Sequence, residues 1–200
     1  MTIFIDADDS WRTDHVATHI KLANSHPGAG IFSSAYIIDG VNVSRNLLTK
    51  ERQFSANFAK YYFFNRGLIC SSSFSCRGKT LKNGLRFSEI RVGEDIQTWL
   101  DVVPSYGLAF TQEITNVIHP DFSSNGSSFI IREKPSIAYF SITRSTYWEN
   151  AVLARRNLLI SLRYKRLEMR LLKPVLIVYT ALFLEVLRRI LLNIANGYRR

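Results

Sequence analysis

The sequence predicts an α/β domain followed by a basic, amphipathic helical tail, and three observations predict it. Short apolar runs end in acidic or glycine turns, as Thr2–Ile5 does before Asp6 and Ile31–Asp39 before Gly40; such runs read as buried strands. Segments with helical apolar spacing lie between them, including Phe54, Phe58, Tyr61 and Tyr62, and Glu94–Val103. Alternating strands and helices make an α/β sheet. Charge is also divided unevenly. Residues 151–200 hold eleven Lys or Arg against two acids, Glu168 and Glu185, so +9 of the chain's +10 lies there.

In order, Thr2–Ile5 is expected as a buried strand ending in the acids Asp6, Asp8 and Asp9. Asp14 is placed to cap a helix from His15 to about Asn24, with Val16, Ile20 and Ala23 on one face. A strand follows at Ile31–Asp39, then a polar loop over residues 41–52. Gln53–Asn65 reads as a helix, Leu68–Cys76 as a strand and Lys79–Asn83 as a short helix. Glu94–Val103 is a helix and Gly107–Phe110 a strand. Thr115–Ser128, rich in serine with Pro120 and Gly126, reads as a loop.

From about Lys134 the chain is expected to be helical, which divides it into residues 1–133 and 134–200. In the tail, Leu153, Ile160, Tyr164, Leu167 and Leu171 share one helical face, and Arg156, Arg163, Arg166, Arg170 and Lys173 another. Pro174 suits the first turn of a second helix. Its apolar run to Leu184 is shorter than the roughly 20 residues that cross a bilayer.

With 46% hydrophobic and 12% aromatic residues among 200, the chain can build a core and is too apolar for disorder. Cys70 and Cys76 read as reduced thiols of a reducing compartment, not as a disulfide framework. The opening residues run straight into acid, unlike a secretory leader.

Two acidic motifs carry the candidate chemistry. Carboxylates one residue apart, as in Asp6-Ala7-Asp8, reach a hard divalent cation such as Mg²⁺ or Mn²⁺. The bland alternative is that Asp8 or Asp9 caps the next helix. Gly93-Glu94-Asp95 opens a helix, where acids are favoured by the dipole in any case. His15 and His19 read as surface residues without a third ligand, and His119 sits in the polar stretch before Pro120.

Taken together, these motifs resemble a family. Phe4-Ile5-Asp6-Ala7-Asp8-Asp9-Ser10-Trp11 looks like the strand and metal motif of family-2 glycosyltransferases, and Gly93-Glu94-Asp95 followed by Trp99 is similar to their later acidic motif. Gly30–Tyr36, Cys70–Ser73 and Leu81–Phe87 fall between them in the family's order. The resemblance covers about residues 2–115. It implies part of an A-type glycosyltransferase fold, a Rossmann-like mixed sheet. It also implies inverting transfer from a nucleotide diphosphate sugar to a lipid-linked or saccharide acceptor. Asp6, Asp8 and Asp9 would then face the donor, with Asp8 on a Mn²⁺ or Mg²⁺ cofactor. Asp95 would be the general base and Glu94 its neighbour that orients the acceptor, with Trp99 and Ser72 at the acceptor site. No Gln-x-x-Arg-Trp occurs, which favours a single, non-processive addition.

The chain departs from the family where it starts. The family's nucleotide-binding half would precede Thr2, so this chain alone is expected to turn over no nucleotide sugar. The rival readings are a truncated, non-catalytic remnant or an acceptor- or membrane-binding module, and a generic metal-dependent nucleotidyl or phosphoryl transferase. The last should carry a phosphate loop or a Lys/Arg cluster near the acids, for which Arg12 alone is weak support. The tail's basic and apolar faces suit an anionic membrane surface, giving a cytoplasmic protein peripheral to the inner face of the membrane. The nearly neutral body gives no reason to expect nucleic acid.

Overall fold

A computed structural model describes residues 1–39, 52–65, 68–83, 85–87, 94–119, 144, 146–163, 176–185 and 187–188. The chain forms two compact units, Met1–Ala138 and Tyr139–Arg200. The first is α/β, with a mixed six-stranded sheet.

Its strands are β1 (Thr2–Ile3), β2 (Ser10–Trp11), β3 (Ile31–Ile38), β4 (Arg52–Phe54), β5 (Phe74–Cys76) and β6 (Leu108–Ile118). Its helices are α1 (His15–Ser25), α2 (Phe58–Phe64), α3 (Gly78–Lys82) and α4 (Glu94–Tyr106). The sheet order is β1-β5-β3-β6-β2, with β4 also on β6. β3 is central because its first five residues are buried on both faces, as expected for a strand covered on both sides. It pairs parallel with β6 and antiparallel with β5, which in turn pairs antiparallel with β1. β1, β3 and β6 therefore point the same way. Between Ser34 and Tyr36 the register slips, so that Ala35 faces Ile114 while Ser34 faces Thr111. The bulged β6 takes β4 along its first half and β2 along its second.

Two local devices hold the helices to the sheet. Gly107 takes φ +68°, a left-handed conformation that ends α4 and turns the chain into β6. The Arg77 guanidinium caps the end of α1, donating from Nε to the Ala29 carbonyl at 2.8 Å and from Nη2 to the Ala23 carbonyl at 2.8 Å, above the Phe32 ring. A cation at a helix carboxyl end is favoured by the dipole.

Several sequence expectations are corrected. The inner face of α1 is His15, Thr18, His19, Leu22 and Ala23, while Val16 and Ile20 face outward. The two histidines, expected at the surface, are fully buried. Asp14 does sit at the N-cap of α1, but its side chain makes no capping bond and lies 3.8 Å from Arg12 instead. Gln53 and Phe54 belong to β4, and the helix begins only at Phe58. Leu68–Cys76 is strand only from Phe74, after a 3₁₀ turn at Ser71–Ser73. Thr115–Ile118, expected as loop, completes β6, because β2 and β3 satisfy its backbone. Expectations for Gly40, Gly84, Gly93 and residues 41–51, 120–143 and 164–175 fall outside the described residues.

In the second unit, α5 (Tyr147–Arg163) starts with a capping box. Glu149 accepts from the Thr146 amide at 3.1 Å while the Thr146 hydroxyl accepts from the Glu149 amide at 3.3 Å. A further helix covers residues 176–185, and the Tyr147 hydroxyl donates to its Ile177 carbonyl at 3.1 Å. Among the described residues, no helix is long and apolar enough to cross a membrane.

Four aromatic rings of the first unit pack together. Phe4 stacks on Phe74 with centroids 4.4 Å apart, Trp99 meets Phe74 edge-on at 4.5 Å, and Phe87 closes the group at 5.8 Å from Trp99. Phe74 is 0% exposed. Phe74→Ala is expected to cost about 3–5 kcal/mol of stability, measured by urea denaturation of the full chain; a loss below about 1 kcal/mol would mean the cluster is not packed in this way.

Candidate functional site

Since β1, β3 and β6 run in one direction, their carboxyl ends lie at one end of the sheet. The loop Phe4–Asp9 leaves β1 at one edge and enters β2 at the other. It therefore crosses that end, where α/β sheets usually bind ligands. Asp39 follows β3 and His119 follows β6 at the same end. The 3₁₀ turn Ser71–Ser73 precedes the antiparallel β5 and also lies there.

The acid loop is held by its neighbours. The Asp9 amide donates to the Asp6 carbonyl at 3.2 Å, closing a turn. The Asp6 amide donates to Ser72 Oγ at 2.9 Å, and Trp11 Nε1 donates to the Ser72 carbonyl at 2.8 Å. The Asp9 carboxylate accepts from the His119 amide at 3.2 Å. The His119 ring bridges Asp39 at 2.9 Å and Ser10 at 2.8 Å. Asp8 and Asp9 are half-buried, while Asp6 lies at the surface.

Asp95 enters from α4. That helix ends at Gly107 where β6 begins, and its 13 residues span about 20 Å, enough to carry its first turn back to the carboxyl end of the sheet. The Asp6 carboxyl is held above the ordinary aspartate range, first by lost hydration, then by the charges of Asp9, Asp8 and Asp95. A hydrogen bond with the Ser71 side chain works the other way. The two acidic motifs, distant in sequence, thus share one electrostatic field. The backbone of Glu94 opens the same helix.

Such a gathering of acids fits a hard cation. Among the described residues, no three His, Cys, Asp or Glu side chains converge closely enough to hold a metal by themselves. A cation here would take one or two carboxylates, Asp8 foremost, and complete its shell with water and the phosphate oxygens of a ligand, the usual habit of Mg²⁺.

Ser72 and Trp99, assigned to the acceptor by resemblance, are both fully buried. Ser72 braces the acid loop, and Trp99 stands in the aromatic cluster beneath it. Conversely, local pattern marks Asp39 only as a strand end, Trp11 only as the last residue of the acidic motif and His119 only as part of a polar stretch. Their signal was position: each lies next to a strand end on the ligand-facing side of the sheet. Cys70 and Cys76 are free thiols, and burial pushes Cys70 up to about 12, so it stays protonated.

Beneath the loop runs a buried polar chain. Trp11 stacks on His15 at 4.4 Å, and the His15 and His19 rings lie tilted with centroids 4.3 Å apart. His15 Nδ1 meets Thr115 Oγ1 at 2.7 Å, and Thr115 donates to Ser34 Oγ at 2.7 Å. Ser34 Oγ lies 3.3 Å from His19 Nε2, and His19 Nδ1 lies 2.7 Å from Ser75 Oγ. One donor order satisfies the whole run: each imidazole donates from Nδ1 and each intervening hydroxyl donates onward. That order requires His19 neutral, since its Nε2 must accept from Ser34, while the buried His15 Nε2 has no hydrogen-bond partner. Burial lowers the proton affinity of both, bringing His19 to about 3, with His15 adding to the effect on His19.

No protein-family model matches the chain, and neither does any curated protein.

The histidines make stability pH-dependent with a definite sign. His19 has a lower proton affinity folded than unfolded, so its contribution is complete above about pH 6.5 and is lost as pH falls towards about 3. Between pH 7 and 5 the chain is expected to lose roughly 2 kcal/mol through this group, measured by urea denaturation, and His19→Gln should remove most of that slope. An unchanged slope in the variant would contradict the buried neutral chain.

Proposed function

We propose that the first unit carries the acidic side of a sugar-transfer cleft. The reaction is inverting, non-processive transfer of one sugar from a nucleotide diphosphate sugar to a lipid-linked or saccharide acceptor. The observation that carries this reading is the packing of Phe4 and Trp99 on the Phe74 ring, which draws the Asp6 loop and the first turns of α4 together, in keeping with the raised Asp6 carboxyl. Donor-side and acceptor-side acids must flank one anomeric carbon, and here acids from the two ends of the motif series meet at one end of the sheet.

In this reading the acceptor hydroxyl attacks the anomeric carbon while Asp95 takes its proton, help typically worth about 10²–10⁴-fold. The bond from the anomeric carbon to the diphosphate breaks, and its electron pair leaves with the nucleoside diphosphate. A divalent cation on Asp8 would offset the charge on that leaving group. Asp6, at the surface of the loop, accepts hydrogen bonds from donor hydroxyls. Asp9 supports the donor side of the loop from its bond to His119, and Glu94 lies beside the base in sequence. Ser72 and Trp99 act from below, through the loop and helix they hold.

A second reading is a non-catalytic module that binds acceptor or membrane. It is favoured by β1, which among the described residues has a single neighbour, β5.

Manganese titration of the full chain, followed by release of nucleoside diphosphate from a panel of nucleotide sugars, separates these readings. Asp8→Asn should weaken Mn²⁺ binding by about tenfold or more, and Asp95→Asn far less. Nucleoside diphosphate release lowered about 10²–10⁴-fold by Asp95→Asn supports transfer. Mn²⁺ binding without release is the outcome expected of this chain alone, and any release abolished by Asp95→Asn would overturn that expectation in favour of transfer. Mn²⁺ binding that ignores Asp8→Asn removes the proposed site.

A further inference from the structure

The helix over residues 176–185, continued at 187–188, has two unlike sides. Val178, Ala181 and Glu185, at i, i+3 and i+7, form its inner side and are at most 9% exposed. Directly opposite, Leu176, Tyr179 and Phe183 are 68%, 66% and 65% exposed, and Leu187 follows one turn later. Their spacing of i, i+3, i+7 and i+11 puts all four on one outward strip. A helix apolar on every side is ordinarily buried, and a contiguous exposed apolar patch marks an interaction surface.

Charge identifies what covers it. Residues 151–200 carry eleven Lys or Arg and two acids, Glu168 and Glu185. Of these acids, Glu185 is 7% exposed and bound through both oxygens to Arg188, at 2.6 and 2.8 Å. It lies on the inner side and projects no negative field from the strip. A second copy of the chain would bring two strongly cationic segments together, which repel. The partner that accepts both large apolar side chains and excess cationic charge is an anionic lipid surface. Tyr179 and Phe183 are suited to that boundary, the tyrosine hydroxyl remaining at headgroup level.

We infer that Leu176, Tyr179, Phe183 and Leu187 form a membrane-docking strip that dips into an anionic bilayer while the helix lies along its surface. Among the described residues, no helix is long and apolar enough to cross a membrane. This does not rest on the sugar-transfer reading, and its test uses no turnover.

The test is flotation of the full chain with vesicles of phosphatidylcholine, with or without phosphatidylglycerol. The chain is expected to float with the anionic vesicles and not with the neutral ones, and added salt should weaken binding. Phe183→Ser and Tyr179→Ser should each lower partition about tenfold, with circular dichroism confirming that both fold. Ile20→Ser, at an exposed position of α1, should leave partition unchanged. Equal binding to both vesicle types, unaltered binding by the two strip variants, or no vesicle binding at all would overturn the inference. So would a dimer in sedimentation that Phe183→Ser dissociates in the absence of vesicle binding.

Discussion

The meeting of Phe4 and Trp99 on the ring of Phe74 is the contact on which the candidate site depends. Phe4 stands two residues before Asp6, and Trp99 one helical turn after Asp95. Both rings touch Phe74, at 4.4 and 4.5 Å between centroids. Close-packed aromatic rings transmit position, since they cannot yield without opening a void. The spacing of the two acidic motifs is therefore set by apolar packing beneath them. That packing works against their charges: it brings Asp95 near enough to raise the proton affinity of Asp6. A site where apolar burial forces like charges together is one that a cation or hydroxyl-rich ligand would relieve.

The polar chain is the second support. Trp11 belongs to β2, at the far end of the acid loop, and couples that loop to α1 by stacking on His15. From there hydroxyls of β3, β5 and β6 continue to His19. The loop is thus fixed at one end by aromatic packing and at the other by a hydrogen-bonded run that holds only while the His19 imidazole is neutral. Buried networks of this kind help to specify one arrangement, and in this one the buried His15 Nε2 is left without a partner.

Much of the scaffold was legible. The strand at Ile31, the start of α4 at Glu94, the short α3 and the place of Asp14 all follow from apolar runs and end signals. The two acidic motifs were visible as motifs. The face of α1 was misread because hydrophobic periodicity selects Val16 and Ile20, whereas the sheet offers hydroxyls from Ser34, Ser75 and Thr115 that make a histidine face the better one to bury. Gln53 and Phe54 were misread because Phe54 continues the helical aromatic spacing of α2, yet β6 supplies the partner that makes them strand. Thr115 and Asn116 look like loop until β2 and β3 are seen on either side. His119 and Asp39 carry no motif, and only the common direction of β3 and β6 brings them to the acid loop. In each case the deciding partner is far away in sequence, where local pattern carries no information.

The central claim, that the two acidic motifs face one another, has a direct test. The titration midpoint of the Asp6 carboxyl can be followed by carbon NMR in metal-free buffer, in the native chain and in Asp95→Asn. The account predicts a midpoint above the ordinary aspartate value that moves down when the Asp95 charge is removed. An identical midpoint in both proteins would show that the motifs do not share a field, and the cleft would not exist.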